Sequence, residues 1–365
     1  MKIVVRKLKS VEQLLSYSEN YMKFNELPIP PHYDKSKAGK VWKVDYEKIA
    51  GAASKWAQRH GIKPSAKDKF KVCLLAVDMQ NTFCLPDFEL FAAGRSGTGA
   101  LDDTKRLSEF IYKNLNVITD IIPTMDTHRP IQIFHQIFLI NDKGEHPEPY
   151  SQITVEDVKG GKWMVNPDAC ANIGIDPKEA NDYLLHYTEQ LKESGKYSLT
   201  IWPYHAMLGG ISYALVSLLE EAIFFHSVAR YSQPDHQIKG SNTLTEHYSV
   251  FGPEVKSNSN GDTIEGKNIK LIERLLNYDA VIIAGEAKSH CVAWTIEDLL
   301  SDLLLREKEL TGKVYLLEDC TSPVVIPGGI DFTDEADAAF KKFEAAGMHV
   351  VKSTGPIESW PGLNK

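Results

Sequence analysis

Residues 278–300 read YDAVIIAGEAKSHCVAWTIEDLL, and the rest of the chain is best approached from this stretch. Its AVIIA core is short, apolar and β-branched, as a fully buried strand is, and Gly285 punctuates its end. From Cys291 onward Val292, Thr295, Ile296 and Leu299 recur at helical spacing. A strand therefore runs into a helix through a short turn, and Cys291 falls at or near the N-terminus of that helix. Unpaired N–H groups and the helix dipole there favour a thiolate and any oxyanion formed by its attack. The competing reading is a buried cysteine that packs as a small hydrophobe. A base and an electrostatic partner elsewhere in the chain would decide between them.

The same alternation extends outward from this unit. Strands are predicted at Val72–Val77, Ile121–Met125, Ile133–Ile140, Ala222–Ala229, Val314–Leu317 and from His349 to Lys352. Helices are predicted at Val11–Phe24, Tyr46–His60, Leu101–Ile118, Pro177–Ser194, Asn268–Leu276 and Asp334–Ala346, the last stopped by Gly347. Near-continuous apolar strands alternating with helices imply an α/β fold of three layers, αβα, around a mostly parallel, Rossmann-like sheet. Residues 1–70 read as an appended arm, residues 71–365 as the main domain, and residues 141–200 as a polar insertion with one helix.

Bulk composition narrows the function. A chain of 365 residues with 43% hydrophobic and 25% charged residues can bury a large core. Its net charge of −8 argues against nucleic-acid or anionic-membrane partners, and no apolar run reaches membrane-spanning length. The apolar part of the opening MKIVVRKLK is too short for a signal peptide. The cysteines Cys73, Cys84, Cys170, Cys291 and Cys320 are scattered, without a CxxC, and suit a reducing compartment. The expected location is the cytoplasm.

In an open parallel sheet, function collects outside the carboxyl ends of the strands. Three more such ends carry chemistry. Asp78 directly follows an apolar strand, so poor solvation should raise its pKa and suit it to moving protons, although an Asp there also serves as a turn or cap. Asp126 and His128, two residues apart on an extended segment, point to one side and could grip one metal. His205, in WPYH, is the best third ligand; its ordinary alternative is a hydrogen-bonded structural histidine. Lys239, beside Gly240, could set an ammonium next to a thiolate and an Asp, though most lysines are solvated surface groups.

Taken in order, these segments resemble the isochorismatase-like cysteine hydrolases, and among them nicotinamidases, from about Val72 to Ser353. The resembling elements are DMQNTF (78–83), DTH (126–128), HQIF (135–138), WPYH (202–205), KG (239–240) with YSVF (248–251), and GEAKSHC (285–291). Thr127, Ala206 and Ser289 depart from the family's usual residues, and the arm and insertion are additions to its core. The resemblance implies a catalytic triad of Asp78, Lys239 and Cys291, and a divalent metal on Asp126, His128 and His205. Zinc is the first expectation, with iron or manganese compatible. It also implies an oxyanion hole at Ala287 and Cys291, a cis peptide at Ala287-Lys288, and ring-stacking walls at Phe83 and Trp202. The activity implied is hydrolysis of a small carboxamide such as nicotinamide through a thioester on Cys291, in a homo-oligomer. Three rivals stay open: another small amide or N-carbamoyl substrate on the same triad, a non-haem iron oxygenase built on the Asp/His/His set, and an inactive binding protein.

Overall fold

Strand β1 (Val72–Val77) is buried on both faces and forms the middle of the molecule. The computed structural model describes residues 26–326 and 328–363, and the helix predicted at Val11–Phe24 lies outside them. β1 pairs in parallel with β2 (Asp120–Asp126) on one side and β4 (Ala280–Gly285) on the other. With β3 (Gln237–Lys239), β5 (Val314–Leu317) and β6 (His349–Val351) the sheet runs β6-β5-β4-β1-β2-β3, every pairing parallel. This is the doubly wound order, whose direction reverses between β1 and β4, and the crevice for a ligand opens at their carboxyl ends.

Alternation along each strand builds two cores. Leu74, Ile121 and Ile282 face helices α1 (Tyr46–His60), α2 (Gly99–Lys113) and α4 (Ser217–Arg230). Leu75, Ile122 and Ile283 face α5 (Ile269–Leu276), α6 (Ala293–Arg306) and α7 (Thr333–Ala345), together with α3 (Pro177–Glu193) from the insertion. The α/β sandwich predicted above is therefore present, its central sheet wholly parallel. No helix among the described residues is long and apolar enough to cross a membrane.

Three local readings are corrected. Residues 222–229 belong to helix α4, not to a strand. That helix packs against both α1 and α2, so it is apolar on two sides and its sequence mimics a buried strand. Residues 133–138 are a turn and a 3-10 segment, because the N–H groups of His135 and Phe138 bond locally (to Gln132 O and His135 O) while Ile133, Phe134 and Phe138 plug the core. Only Leu139–Ile140 extends, pairing with Met164–Val165. The 141–200 stretch holds three helices instead of one, Val155–Lys159 and Pro167–Ile173 preceding α3.

Candidate active site

Three strand ends meet at the crevice. Asp78 follows β1 with a left-handed backbone (φ +44°), which Asp tolerates better than most residues. Its main chain is tied to β2, its N–H donating to Thr124 Oγ1 at 3.0 Å while that hydroxyl donates to Asp78 Oδ1. Gln80 braces the same two strands, donating to Asp126 O (2.8 Å) and accepting from Asp126 N (2.7 Å). On the other side, Gly285 closes β4 against β1 so tightly that a Cβ there would stand 2.0 Å from Val77 O. Its φ of +120° is also one that residues with side chains avoid. Cys291 follows in a single π turn, Lys288–Val292, ahead of α6.

Lys239, the last residue of β3, reaches beneath this junction. Its Nζ lies 2.9 Å from Asp78 Oδ2, 2.9 Å from Asp126 Oδ1, 2.8 Å from His247 O and 3.5 Å from Cys291 Sγ. Asp78 is close enough to Cys291 for its carboxyl to raise the thiol's pKa. Three residues far apart in sequence thus form one contact cluster, 0%, 4% and 6% exposed for Asp78, Lys239 and Cys291. Burial pushes the Asp78 carboxyl above its ordinary value, against the pull of the Lys239 charge. Two neighbouring carboxylates hold Lys239 protonated despite its burial.

One electrostatic expectation fails. The turn ahead of the helix should have favoured an accessible thiolate, but Cys291 is buried and desolvation drives its thiol well above the usual range, outweighing Lys239. The resting residue is a thiol, and the nearby Asp78 carboxyl raises it further. The cis peptide is also displaced: it is Glu286-Ala287, one bond before Ala287-Lys288. Glu286 N still donates to Val77 O (2.8 Å), so the chain stays on the sheet one residue further and leaves it at Ala287.

Asp126, His128 and His205 converge, with one ligand atom from each all within 4.8 Å of one another. His128 Nε2 is 2.8 Å and His205 Nε2 3.5 Å from Asp126 Oδ2. Each ring sets its Nδ1 against a backbone carbonyl, His128 on Gly240 (3.1 Å) and His205 on Pro203 (2.8 Å). When Nδ1 donates, the Nε2 lone pair is left facing a carboxylate, an arrangement a cation resolves. The donor set fits a divalent metal. Gly240 leaves the room for it, since a Cβ there would sit 2.7 Å from Asp126 Oδ1.

A pocket opens over Cys291 and Asp126. Phe83 and Trp202 line it, Trp202 being fixed by its Nε1–H donating to Tyr248 OH at 3.1 Å. Ala287 also lines it. Sequence reading assigned no site role to five lining residues, Leu90, Glu246, Tyr248, His290 and Val324. Glu246 is buried beside the donor set and pushed up to about 7 by desolvation. His290 is held neutral, its pKa lowered to about 3 by burial. Val324 N donates to Ser289 Oγ (3.1 Å), so that hydroxyl has its own proton free for His290 Nδ1 (2.8 Å). The imidazole proton is then on Nε2. The place of Tyr248 within YSVF, the nearness of Glu246 to it, and the adjacency of His290 to Cys291 were the available signals. His135, quoted only within a motif, is a buried imidazole whose Nε2 has no partner among the described residues, with its ring 5.9 Å from that of His128.

No family model matches the chain, and no curated protein matches it significantly. Solved structures do match. A nicotinamidase/pyrazinamidase of Acinetobacter baumanii is 19% identical over 79% of this chain and 99% of its own, with a TM-score of 0.47. The yeast nicotinamidase bound to the inhibitor nicotinaldehyde is 20% identical over 77% of this chain and 99% of its own, at 0.48. A pyrazinamidase of Pyrococcus horikoshii in complex with zinc is 18% identical over 77% and 99%, at 0.40. These likenesses are remote.

Proposed function

We propose that the chain is a metal-assisted cysteine amidohydrolase that cleaves a small carboxamide, nicotinamide being the first candidate. The observation that carries this reading is the buried contact of Lys239 with both Asp78 and Cys291, Cys291 itself lining the cavity.

The chemistry follows from their protonation. Asp78 as carboxylate takes the Cys291 proton, and the Lys239 ammonium stabilises the thiolate so formed. The sulfur attacks the carboxamide carbon, and the N–H groups of Ala287 and Cys291 receive the developing oxyanion. Asp78 returns its proton to the amide nitrogen, ammonia leaves, and a thioester remains on Cys291. Water then adds to the thioester with Asp78 as base, the carboxylic acid departs, and the thiol is restored. Phe83 and Trp202 hold an aromatic ring between them. A divalent cation on Asp126, His128 and His205, zinc first and iron or manganese compatible, would position and polarise a pyridine-type substrate. Lys239, by touching both Asp78 and Asp126, fixes the triad relative to that cation's carboxylate.

The test is ammonia release from a panel of small amides and N-carbamoyl compounds by the wild type and Cys291→Ala. Release that depends on Cys291 supports the reading, and the preferred compound names the substrate. Equal release by the variant ends it.

A further inference from the structure

The segment that delivers the nucleophile carries an acid that the chemistry above does not use. Glu286 lies between Gly285, where β4 ends, and Ala287, and its side chain is 0% exposed. It faces Asp103 of α2, 1% exposed, and the two carboxyls are near enough to shift each other's titration. Ser322, in the loop beyond β5, joins both: its N–H donates to Glu286 Oε2 at 3.1 Å and its hydroxyl to Asp103 Oδ2. Arg106 donates from Nη2 to Asp103 Oδ1 at 2.7 Å. The same Ser322 accepts from Lys288 N at 2.8 Å, so the carboxyl pair and the turn before Cys291 hang on one residue.

A proton count assigns the charges. Both Asp103 oxygens and Glu286 Oε2 already accept from fixed donors. Glu286 Oε1 is buried with no donor among the described residues. Two neighbouring carboxylates beside one guanidinium would leave an unbalanced buried charge, and a single proton removes it. Glu286 Oε1 is the one of the four oxygens with no donor, so a proton placed there satisfies it and can be given toward Asp103. Burial raises both acids, and the Asp103 charge raises Glu286 further. The other charged or titratable groups that face the pair are Arg106 from α2, Cys84 from the segment after β1, and Asp319 and Cys320 after β5.

We propose that Glu286 is kept as a neutral carboxylic acid sharing its proton with Asp103, and that this pair is the positioning device that holds Ala287 and Cys291 in register with Asp78. The positioning role rests on the reading of Cys291 as the nucleophile, whereas the proton sharing does not. Glu286→Gln preserves the device, its NH₂ donating to Asp103 and its carbonyl accepting from Ser322 N, but it has no proton to lose. Glu286→Ala dismantles the device, and Glu286→Leu does so while keeping the volume filled.

Two measurements on the full chain test this without any substrate. The first is the rate of Cys291 alkylation by iodoacetamide, read by peptide mass mapping to separate it from the other cysteines. Glu286→Gln is expected within about twofold of the wild type, and Glu286→Ala and Glu286→Leu to differ by about tenfold or more, as a displaced reacting group does. Alkylation of the Leu variant at the wild-type rate would overturn the positioning role. If the Ala variant does not fold, the Leu variant decides alone.

The second is thermal unfolding of the wild type and Glu286→Gln from about pH 6 to about pH 9. An acid whose folded pKa is raised stabilises fully below its unfolded pKa and loses that contribution as pH rises through the folded one. The wild type should therefore lose stability relative to Glu286→Gln as pH rises, and parallel curves would overturn the shared proton. If the wild type releases no ammonia from any amide while both results hold, the proposed reaction fails and the device stands.

Discussion

Gly285→Ala isolates the geometry on which the proposed chemistry depends. Gly285 is where β4 presses on β1 immediately before Asp78, so it sets the separation between the proposed base and the proposed nucleophile. A methyl group there would meet Val77 O at 2.0 Å, Val77 N at 2.6 Å and Val77 C at 2.8 Å, all backbone atoms that cannot swing aside. The residue would also hold φ near +120°, a region that only glycine occupies readily. Strained backbone and overpacking together should destabilise the fold by about 2–5 kcal/mol. Relief requires the strands to part by about 1 Å or more, and a misplacement of that size costs about a hundredfold in rate. Urea unfolding followed by circular dichroism reads the first effect, and ammonia release from the preferred amide under saturating conditions reads the second. A variant with the wild-type urea midpoint and the wild-type kcat would refute the claim that this contact positions the site.

Other substitutions probe separate parts. His205→Ala should lower bound divalent metal by about tenfold or more while leaving the far-ultraviolet spectrum unchanged; full occupancy by elemental analysis would remove His205 from the ligand set. Lys239→Met removes the ammonium between Asp78 and Asp126, and should cost about 3–5 kcal/mol in urea unfolding because two carboxylates are left buried and unpaired; a cost under about 1 kcal/mol would mean the pairing is slack. His226 of α4 is buried neutral against Ile118 O (2.9 Å), its pKa lowered to about 4 by desolvation. Its stabilising contribution is present above its unfolded pKa and is lost as pH falls through the folded one. His226→Gln should accordingly lose less stability than the wild type between about pH 6.5 and about pH 4, by up to about 3 kcal/mol. Equal acid losses would show that His226 does not titrate as described.

Much of this architecture is legible where sequence and environment are simple. β1, β5 and α1 have the bounds read from apolar runs and caps, because the two strands are buried throughout and α1 buries a single stripe of Ile49, Ala53 and Trp56. The α4 segment misleads because a helix covered on two sides loses its polar face. Ile133 to Phe138 misleads because apolar side chains there fill a core without a strand to carry them. The site residues stand out by type, and Asp78, Asp126 and Lys239 lie at or directly after the ends of strands. What no single segment carries is the ammonium of Lys239 between two strand ends, the raised pKa of Cys291, or the pairing of Glu286 with Asp103 across 183 positions of sequence. Those depend on what the fold brings together and on how completely it excludes water.

The central claim is that Cys291 carries the acyl group of an amide substrate. Acid quenching of the metal-loaded protein during turnover of nicotinamide, or of whichever amide the panel selects, followed by peptide mass mapping, measures this directly. The account predicts an acyl adduct on the peptide containing Cys291, absent in Cys291→Ala and lost on neutral incubation as the thioester hydrolyses. Continuing ammonia release with every Cys291 peptide unmodified at all quench times, and undiminished in Cys291→Ala, would contradict it.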